Sequence, residues 1–185
     1  LFAERGFYGV SIAAVSTGLG LTKQALLHPF GSKEKLYAEV LKRISARLDS
    51  LVASTDGGIA GPQQALTDYL IRIAKNARDE PHQMALLMRE LLDNQERADN
   101  VQSWYLGSFL RQLIQMLKAI NHWADAPDYV ALATIMQFLG AINYYAVSGP
   151  TLKGIFGNDV YSALDDQFDD QFEQLISATI SSRAS

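Results

Sequence analysis

Two places in this sequence set a hydroxyl residue immediately ahead of a lysine at what reads as a helix start. They are Thr22-Lys23-Gln24 and Ser32-Lys33-Glu34, both within LTKQALLHPFGSKEKLY (21–37). A capping hydroxyl, the unpaired N–H groups of a first helical turn and an ammonium together form a holder for an anionic oxygen. Gln24 adds an amide able to pair with an adenine edge, Lys23 a donor for guanine, and Leu27 an apolar surface for a thymine methyl. His28 lies on the same side. Other chemistries are poorly supplied. The chain has no cysteine, so it has neither a disulfide framework nor a thiolate metal site. His28, His82 and His122 stand too far apart for a local metal motif. No nucleophile–base spacing and no phosphate-cradling glycine loop is present. No catalytic residue, metal site or cofactor is therefore expected, and an enzyme is the least supported reading.

The elements that position these residues are all helical. Gly6 closes a first helix, Ser11 caps a short helix from Ile12 to Thr17 or Gly18, and Leu19-Gly20-Leu21 forms a tight turn. Thr22 caps a second short helix. Two short helices about a glycine turn make a helix-turn-helix candidate whose second helix can enter a major groove. Leu26 and Phe30 share one face, toward Ile12, Val15, Leu36 and Tyr37. Lys23, Gln24, Leu27 and His28 share the other. Pro29 has no N–H and clashes with the carbonyl of Ala25, which predicts a helix end at or before His28. Beyond it, Tyr37, Val40, Leu41, Ile44, Leu48 and Leu51 repeat at helical spacing from about Ser32 to Ala53. STDGGIAGP (54–62) is the clearest break. Further helices are predicted over 62–78, 81–95, 103–122, 127–149 (closing near Gly149-Pro150) and 162–181. The whole is an all-α chain of about nine helices, split into 1–48 and 49–185.

Charge divides in the same way. Residues 1–50 hold seven Lys/Arg against four Asp/Glu, and 51–185 hold nine against sixteen, for a net −4. The basic end is the one suited to a polyanion. VALATIMQFLGAINYYAVSG (130–149) has no charge over twenty residues, but Thr134, Gln137, Asn143 and Ser148 interrupt it and no basic cluster flanks it. It reads as a helix buried on both sides in a soluble assembly, not a membrane span. The acids of DDQFDDQFEQ (165–174) read as a solvated helix face, as do Lys35, Lys42, Arg43 and Arg47. The opening LFAERGF has no signal-peptide character, and a cytoplasmic protein is expected.

LFAERGF, SIAAV, GLTKQAL and FGSKEKLY fall at the spacing of the tetracycline-repressor (TetR/AcrR) family of bacterial transcription regulators, which the first forty or so residues closely resemble. LLMRELLDNQERAD (86–99) is similar to that family's acidic-rimmed sixth helix. The resemblance implies an N-terminal helix-turn-helix domain with most of helix 1 absent from this numbering, followed by an α-helical effector-binding and dimerisation domain. It implies a DNA-facing set of Ser11, Thr22, Lys23, Gln24, Ala25, Leu27, His28 and Lys33. It implies an effector pocket drawn from Tyr69, Met84, Leu87, Met88, Leu91, Trp104, Phe109, Gln137, Asn143 and Tyr144. Gln137 and Asn143 stand out there, because a buried amide requires a partner. The implied homodimer interface includes Tyr129, Leu132, Met136, Phe168, Phe172, Leu175 and Ile176. The implied partners are operator double-stranded DNA and a small-molecule effector that releases a repressor. Two departures, Leu27 in place of the family's tyrosine and Pro29, raise the alternative of a helical small-molecule-binding dimer with weakened DNA binding.

Overall fold

The computed structural model describes residues 1–53, 61–93 and 106–182. These residues carry nine α-helices and no strand. They are α1 (Phe2–Arg5), α2 (Ile12–Gly18), α3 (Lys23–Phe30), α4 (Lys33–Ala53), α5 (Pro62–Asp79), α6 (Pro81–Asp93), α7 (Gly107–Lys118), α8 (Asp128–Phe156) and α9 (Asn158–Ser181), with a 3₁₀ turn at Asn121–Trp123. They form two compact units. The first joins Leu1–Arg47 to His82–Tyr105, and the second joins Leu48–Pro81 to Leu106–Ser185.

In the first unit the core is an aromatic and aliphatic cluster of Phe7, Val10, Leu26, Leu36, Tyr37, Leu41 and Ile44, to which α6 adds Met84, Leu86 and Leu87. Phe7 and Phe2 both meet the Tyr37 ring edge-on, with centroids 5.1 and 5.0 Å away. Tyr37 donates from its hydroxyl to Glu90 Oε2 at 2.7 Å, which supplies this buried acid with a donor. Arg89 donates to the carbonyls of Ala3 and Glu4 at 2.7 and 2.8 Å. α6 is thereby tied to both α1 and α4.

The second unit packs α5 against α7, α8 and α9, and α8 against α7 and α9. Leu66, Tyr69, Leu70 and Ile73 of α5 meet Leu113 and Leu117 of α7 and Ile135, Phe138 and Ile142 of α8 in its core. The Tyr69 hydroxyl donates to the Leu48 carbonyl at 3.1 Å. Burial, together with the Asp49 charge, pushes its ionisation well above the ordinary tyrosine value. The indole N–H of Trp123 donates to the carbonyl of Ile180 at 3.1 Å, fastening the end of α9.

Three sequence expectations need correction. α8 runs on through Pro150 to Phe156 instead of closing near Gly149-Pro150. Pro150 lies on the exposed side, where the carbonyl it leaves unbonded can meet water, and packing outweighs the lost hydrogen bond. A Cβ on the neighbouring Gly149 would stand 2.9 Å from the Tyr161 hydroxyl, so any other residue there would push the end of the α9 tyrosine aside. α9 begins at Asn158, four residues before Ser162, because Gly157 at φ 84 reverses the chain in a single residue. The acids of α9 are not simply solvated. Arg78 grips Asp169 with two hydrogen bonds of 2.6 and 2.5 Å, and the Tyr145 hydroxyl bonds Asp165. Asp166, Asp170 and Glu173 remain exposed. No group of acidic and histidine side chains among the described residues could hold a metal ion.

α8 is long and apolar enough, by length and composition, to cross a membrane. In this fold one of its faces enters the core through Ala131, Ile135, Phe138, Ile142 and Tyr145. The other leaves Tyr129, Leu132, Met136, Tyr144 and Val147 exposed, so within a single chain the helix is covered on one side only.

Tyr69→Phe is expected to lower the unfolding free energy by about 1 kcal/mol, the usual net worth of one buried hydrogen bond. Denaturant melts of the two proteins measure it, and an unchanged midpoint would show that the Leu48 carbonyl needs no donor from Tyr69.

Candidate nucleic-acid interface

α2 ends in a double hydrogen-bonded turn. The Leu21 N–H donates to the Ser16 carbonyl at 2.8 Å and the Gly20 N–H to the Thr17 carbonyl at 3.1 Å. This closing pattern puts its central residue in the left-handed region, and Gly20 sits there at φ 66. The chain leaves in an extended Thr22, whose hydroxyl oxygen accepts the Ala25 N–H at 3.1 Å and opens α3. Ser11 opens α2 in the same manner by accepting from Ala14, and Ser32 opens α4 by accepting from Lys35 at 3.2 Å. The caps at Ser11 and Thr22 keep a hydroxyl hydrogen able to donate outward, whereas that of Ser32 is directed to the Glu34 carboxyl. All three predicted helix starts therefore stand where the hydroxyl residues put them.

The faces of α3 divide as the sequence indicates. Leu26 is buried and Phe30 half-buried, while Lys23, Gln24, Ala25 and His28 are exposed and Leu27 is half-buried. The predicted end of this helix is corrected. α3 continues through Pro29 to Phe30, closed by the Gly31 N–H on the Leu27 carbonyl at 2.6 Å. Pro29 deprives only the Ala25 carbonyl of its helical partner. Ala25 is exposed, so water can replace that bond, and the half-buried Phe30 holds the last turn against the unit. The proline tightens a helix end without shortening the presented face.

Lys33 opens α4 and is half-buried, with its Nζ 4.2 Å above the centroid of the Phe7 ring. Glu34, fully exposed beside it, has its carboxyl held below the ordinary value by the first-turn backbone N–H, the Ser32 hydroxyl and the Lys33 charge. Lys35, Lys42, Arg43 and Arg47 are exposed along α4, Arg43 in a 3.4 Å pair with Glu39. The exposed Thr22 hydroxyl, Lys23 ammonium and Gln24 amide of α3 and the half-buried Lys33 ammonium of α4 can donate hydrogen bonds to phosphate oxygens and base edges.

The residues expected at an effector pocket are shared between the two units. In the second unit Tyr69 and Phe109 meet edge-on at 6.3 Å, both buried. Asn143 is half-buried on α8, while Tyr144 and Gln137 are exposed. Gln137 is thus no buried amide in need of a partner. In the first unit Met84 and Leu87 are core residues, Met88 is half-buried and Leu91 is exposed. Trp104 lies outside the described residues. Of the expected dimer residues, Tyr129, Leu132, Met136 and Leu175 are exposed. Phe172 and Ile176 are 3% and 0% exposed in the single chain, which leaves them no surface to give to a second copy. Phe168 is half-buried, stacked on Tyr145 at 3.8 Å and on Phe172 at 5.7 Å. A phenylalanine stripe on a helix serves a protomer core and a two-fold interface equally well in sequence, and here the core takes it.

Sequence reasoning passed over Arg89, Glu90 and Phe7. Glu90 carried a legible signal, since it stands three and four residues after Leu87 and Leu86, on the apolar stripe of α6. An acid in that register has to find a donor.

Comparison with known proteins places these elements. Residues 1–40 match the family described as bacterial regulatory proteins, tetR family. The HTH-type transcriptional repressor NicS of Pseudomonas putida is 32% identical over 92 residues, 50% of this chain and 43% of that repressor. The HTH-type transcriptional repressor AcnR of Corynebacterium efficiens is 29% identical over 89 residues, 43% of this chain and 46% of that repressor. The chain thus covers less than half the length of these curated relatives. A crystal structure of a TetR-like transcriptional regulator from a Rhodococcus species superposes with a TM-score of 0.68 at 21% identity, covering 98% of this chain and 90% of that one, a likeness of fold. Residues 1–40 thus match the tetR-family model, and the chain that carries them has a TetR-like helical fold.

Proposed function

We propose that the protein is a sequence-specific DNA-binding transcription regulator, not an enzyme, that works in the cytoplasm as a two-fold dimer and is released from its operator by a small organic effector. The observation that carries this reading is α3 itself. It is capped by Thr22, anchored through Leu26, and presents Lys23, Gln24 and His28 outward. Lys23 and Gln24 stand in its first turn, the part of a recognition helix that reaches base edges. Thr22, Ser32 and Lys33 surround them with phosphate-holding groups. The repressors to which part of the chain is similar support the same assignment.

The exposed apolar residues Tyr129, Leu132 and Met136 of α8, with Leu175 of α9, are the proposed contact with a second copy. A two-fold pair would present two α3 helices to half-sites about one DNA turn, roughly 34–36 Å, or a multiple apart. The effector is proposed to enter the second unit beside Tyr69, Phe109 and Asn143. Its release of DNA requires that it bind one state of the dimer more tightly than the other, with α4 the lever.

A second reading rests on Leu27, which gives up the phosphate hydrogen bond of a tyrosine at that position and leaves a helical ligand-binding dimer with a weak reader. Binding to a pool of random duplexes at low salt separates the two, because retention of a defined sequence class supports the regulator and uniformly negligible binding supports the second reading.

Lys33→Glu is expected to weaken binding to all duplexes alike and to lower the slope of log affinity against log salt by about one; an unchanged slope would strike Lys33 from the contacts. Gln24→Ala is expected to change the sequence preferred more than the total affinity, so selection that returns the wild-type consensus would end its role as a reader. Met136→Glu, which would bury a charge in the proposed dimer, is expected to weaken self-association by roughly tenfold or more. Sedimentation equilibrium measures this, and an unaltered monomer–dimer balance would move the interface elsewhere.

A further inference from the structure

Lys33 occupies an electrostatically awkward place. It is the first residue of α4, where the helix dipole already places positive charge, and a lysine there is disfavoured unless something offsets it. The Phe7 ring stands 4.2 Å from its Nζ, so the electron-rich face of the ring meets the ammonium. Phe7 is itself held. It is 8% exposed, with Tyr8 at 5.3 Å and Tyr37 at 5.1 Å packed edge-on around it, and Tyr37 is anchored through its hydroxyl to Glu90. A chain of fixed groups therefore runs from α6 through α4 to the ring under Lys33. The ring occupies one side of the ammonium and leaves its remaining N–H donors available.

A free lysine side chain loses considerable rotamer freedom when it docks on a phosphate, and a side chain already fixed loses less. We infer that Phe7 is a positioning residue for the DNA contact: its ring holds the Lys33 ammonium at the start of α4, ready for a phosphate oxygen. This inference rests on the DNA-binding reading above. It separates two properties usually taken together, since the charge belongs to Lys33 and its placement to Phe7.

The test is a mutant cycle on one selected duplex at low salt, with the salt slope measured for each protein and the fold checked by thermal melting. Phe7→Leu keeps an apolar side chain in the cluster but removes the ring, and is expected to weaken binding roughly two- to fivefold, the worth of an exposed cation–ring contact. Its salt slope is expected to match wild type, because no charge is lost. Phe7→Tyr keeps the ring face and is expected to bind as wild type does. On a Lys33→Met background, Phe7→Leu is expected to have no further effect. In the DNA-free protein, the Lys33 ε-methylene protons are expected to show an upfield ring-current shift that Phe7→Leu abolishes.

An equal loss from Phe7→Leu with and without Lys33 would make the ring a core residue only and overturn the inference. So would a missing ring-current shift in wild type, or unchanged affinity in Phe7→Leu. If the shift is present and wild type binds no duplex, the DNA-binding reading fails and the inference falls with it. If wild type binds DNA and the cycle shows no coupling, the inference alone falls.

Discussion

An eight-residue helix is too short to hold itself together in water, so the direction in which α3 points its side chains depends on one buried contact, that of Leu26. Turning the helix about its axis enough to expose Leu26 would sacrifice about 2 kcal/mol of apolar burial. That is the order of the free-energy margin by which the outward orientation of Lys23, Gln24 and His28 is held. The two ends of the helix supply the rest. The Gly20 turn fixes where the chain enters, the Thr22 hydroxyl satisfies one of the free N–H groups, and the Gly31 N–H satisfies the Leu27 carbonyl. Pro29 is tolerated because the bond it removes belongs to an exposed residue. On a buried face the same proline would have left an unsatisfied carbonyl and stopped the helix.

The surroundings of that contact are held by α6. Glu90 is 6% exposed, and a buried carboxylate without donors would be too costly to keep. Its bond from Tyr37 therefore works in both directions, since it satisfies the acid and fixes the ring on which Phe2 and Phe7 rest. Arg89, one residue earlier, takes up carbonyls at the end of α1 that no helical N–H can reach. Adjacent residues on α6 thus tie down α1 and α4, and any shift of α6 within this unit must either carry both helices with it or break those bonds.

How much of this was legible varied with the range of the interaction. Caps and turns are local, so Ser11, Gly20, Thr22 and Ser32 marked the starts of α2, α3 and α4 to within a residue. Helix ends decided by packing were not legible. Pro29 and Pro150 each signalled a stop, and each lies inside a helix because packing, by the next residue Phe30 in one case and by Tyr161 of α9 against Gly149 in the other, outweighs one lost hydrogen bond. Apolar stripes fixed which residues are inward without saying against what. Phe172 and Ile176 are core residues, whereas Leu175 and Met136, no more apolar, are exposed. The acids of α9 formed a stripe in sequence, but only the fold shows that Asp165 and Asp169 are met by Tyr145 and Arg78. Nor can a boundary drawn along the chain express a unit assembled from two separated stretches.

The charge distribution gives the two proposed associations opposite responses to salt. Residues 1–50 carry +3 and residues 51–185 carry −7. Binding of the basic end to DNA releases counterions and weakens as salt rises. Two copies meeting through their acidic portions repel each other, and salt screens that repulsion over about 10 Å at 0.1 M. Arg78 and Tyr145 reduce the problem by engaging Asp169 and Asp165 within the protomer, which leaves Asp159, Asp166, Asp170 and Glu173 as the exposed acids of α9 without such a partner. The uncharged outer face of α8 must then supply most of the attraction between copies. At about 25 cal/mol per Å² of apolar surface removed from water, a few hundred Å² per copy outweighs screened repulsion among such acids. An α8 without charge from Tyr129 to Leu152, beside an acidic α9, is therefore consistent with the proposed dimer staying assembled at the low ionic strength where the proposed hold on DNA is strongest.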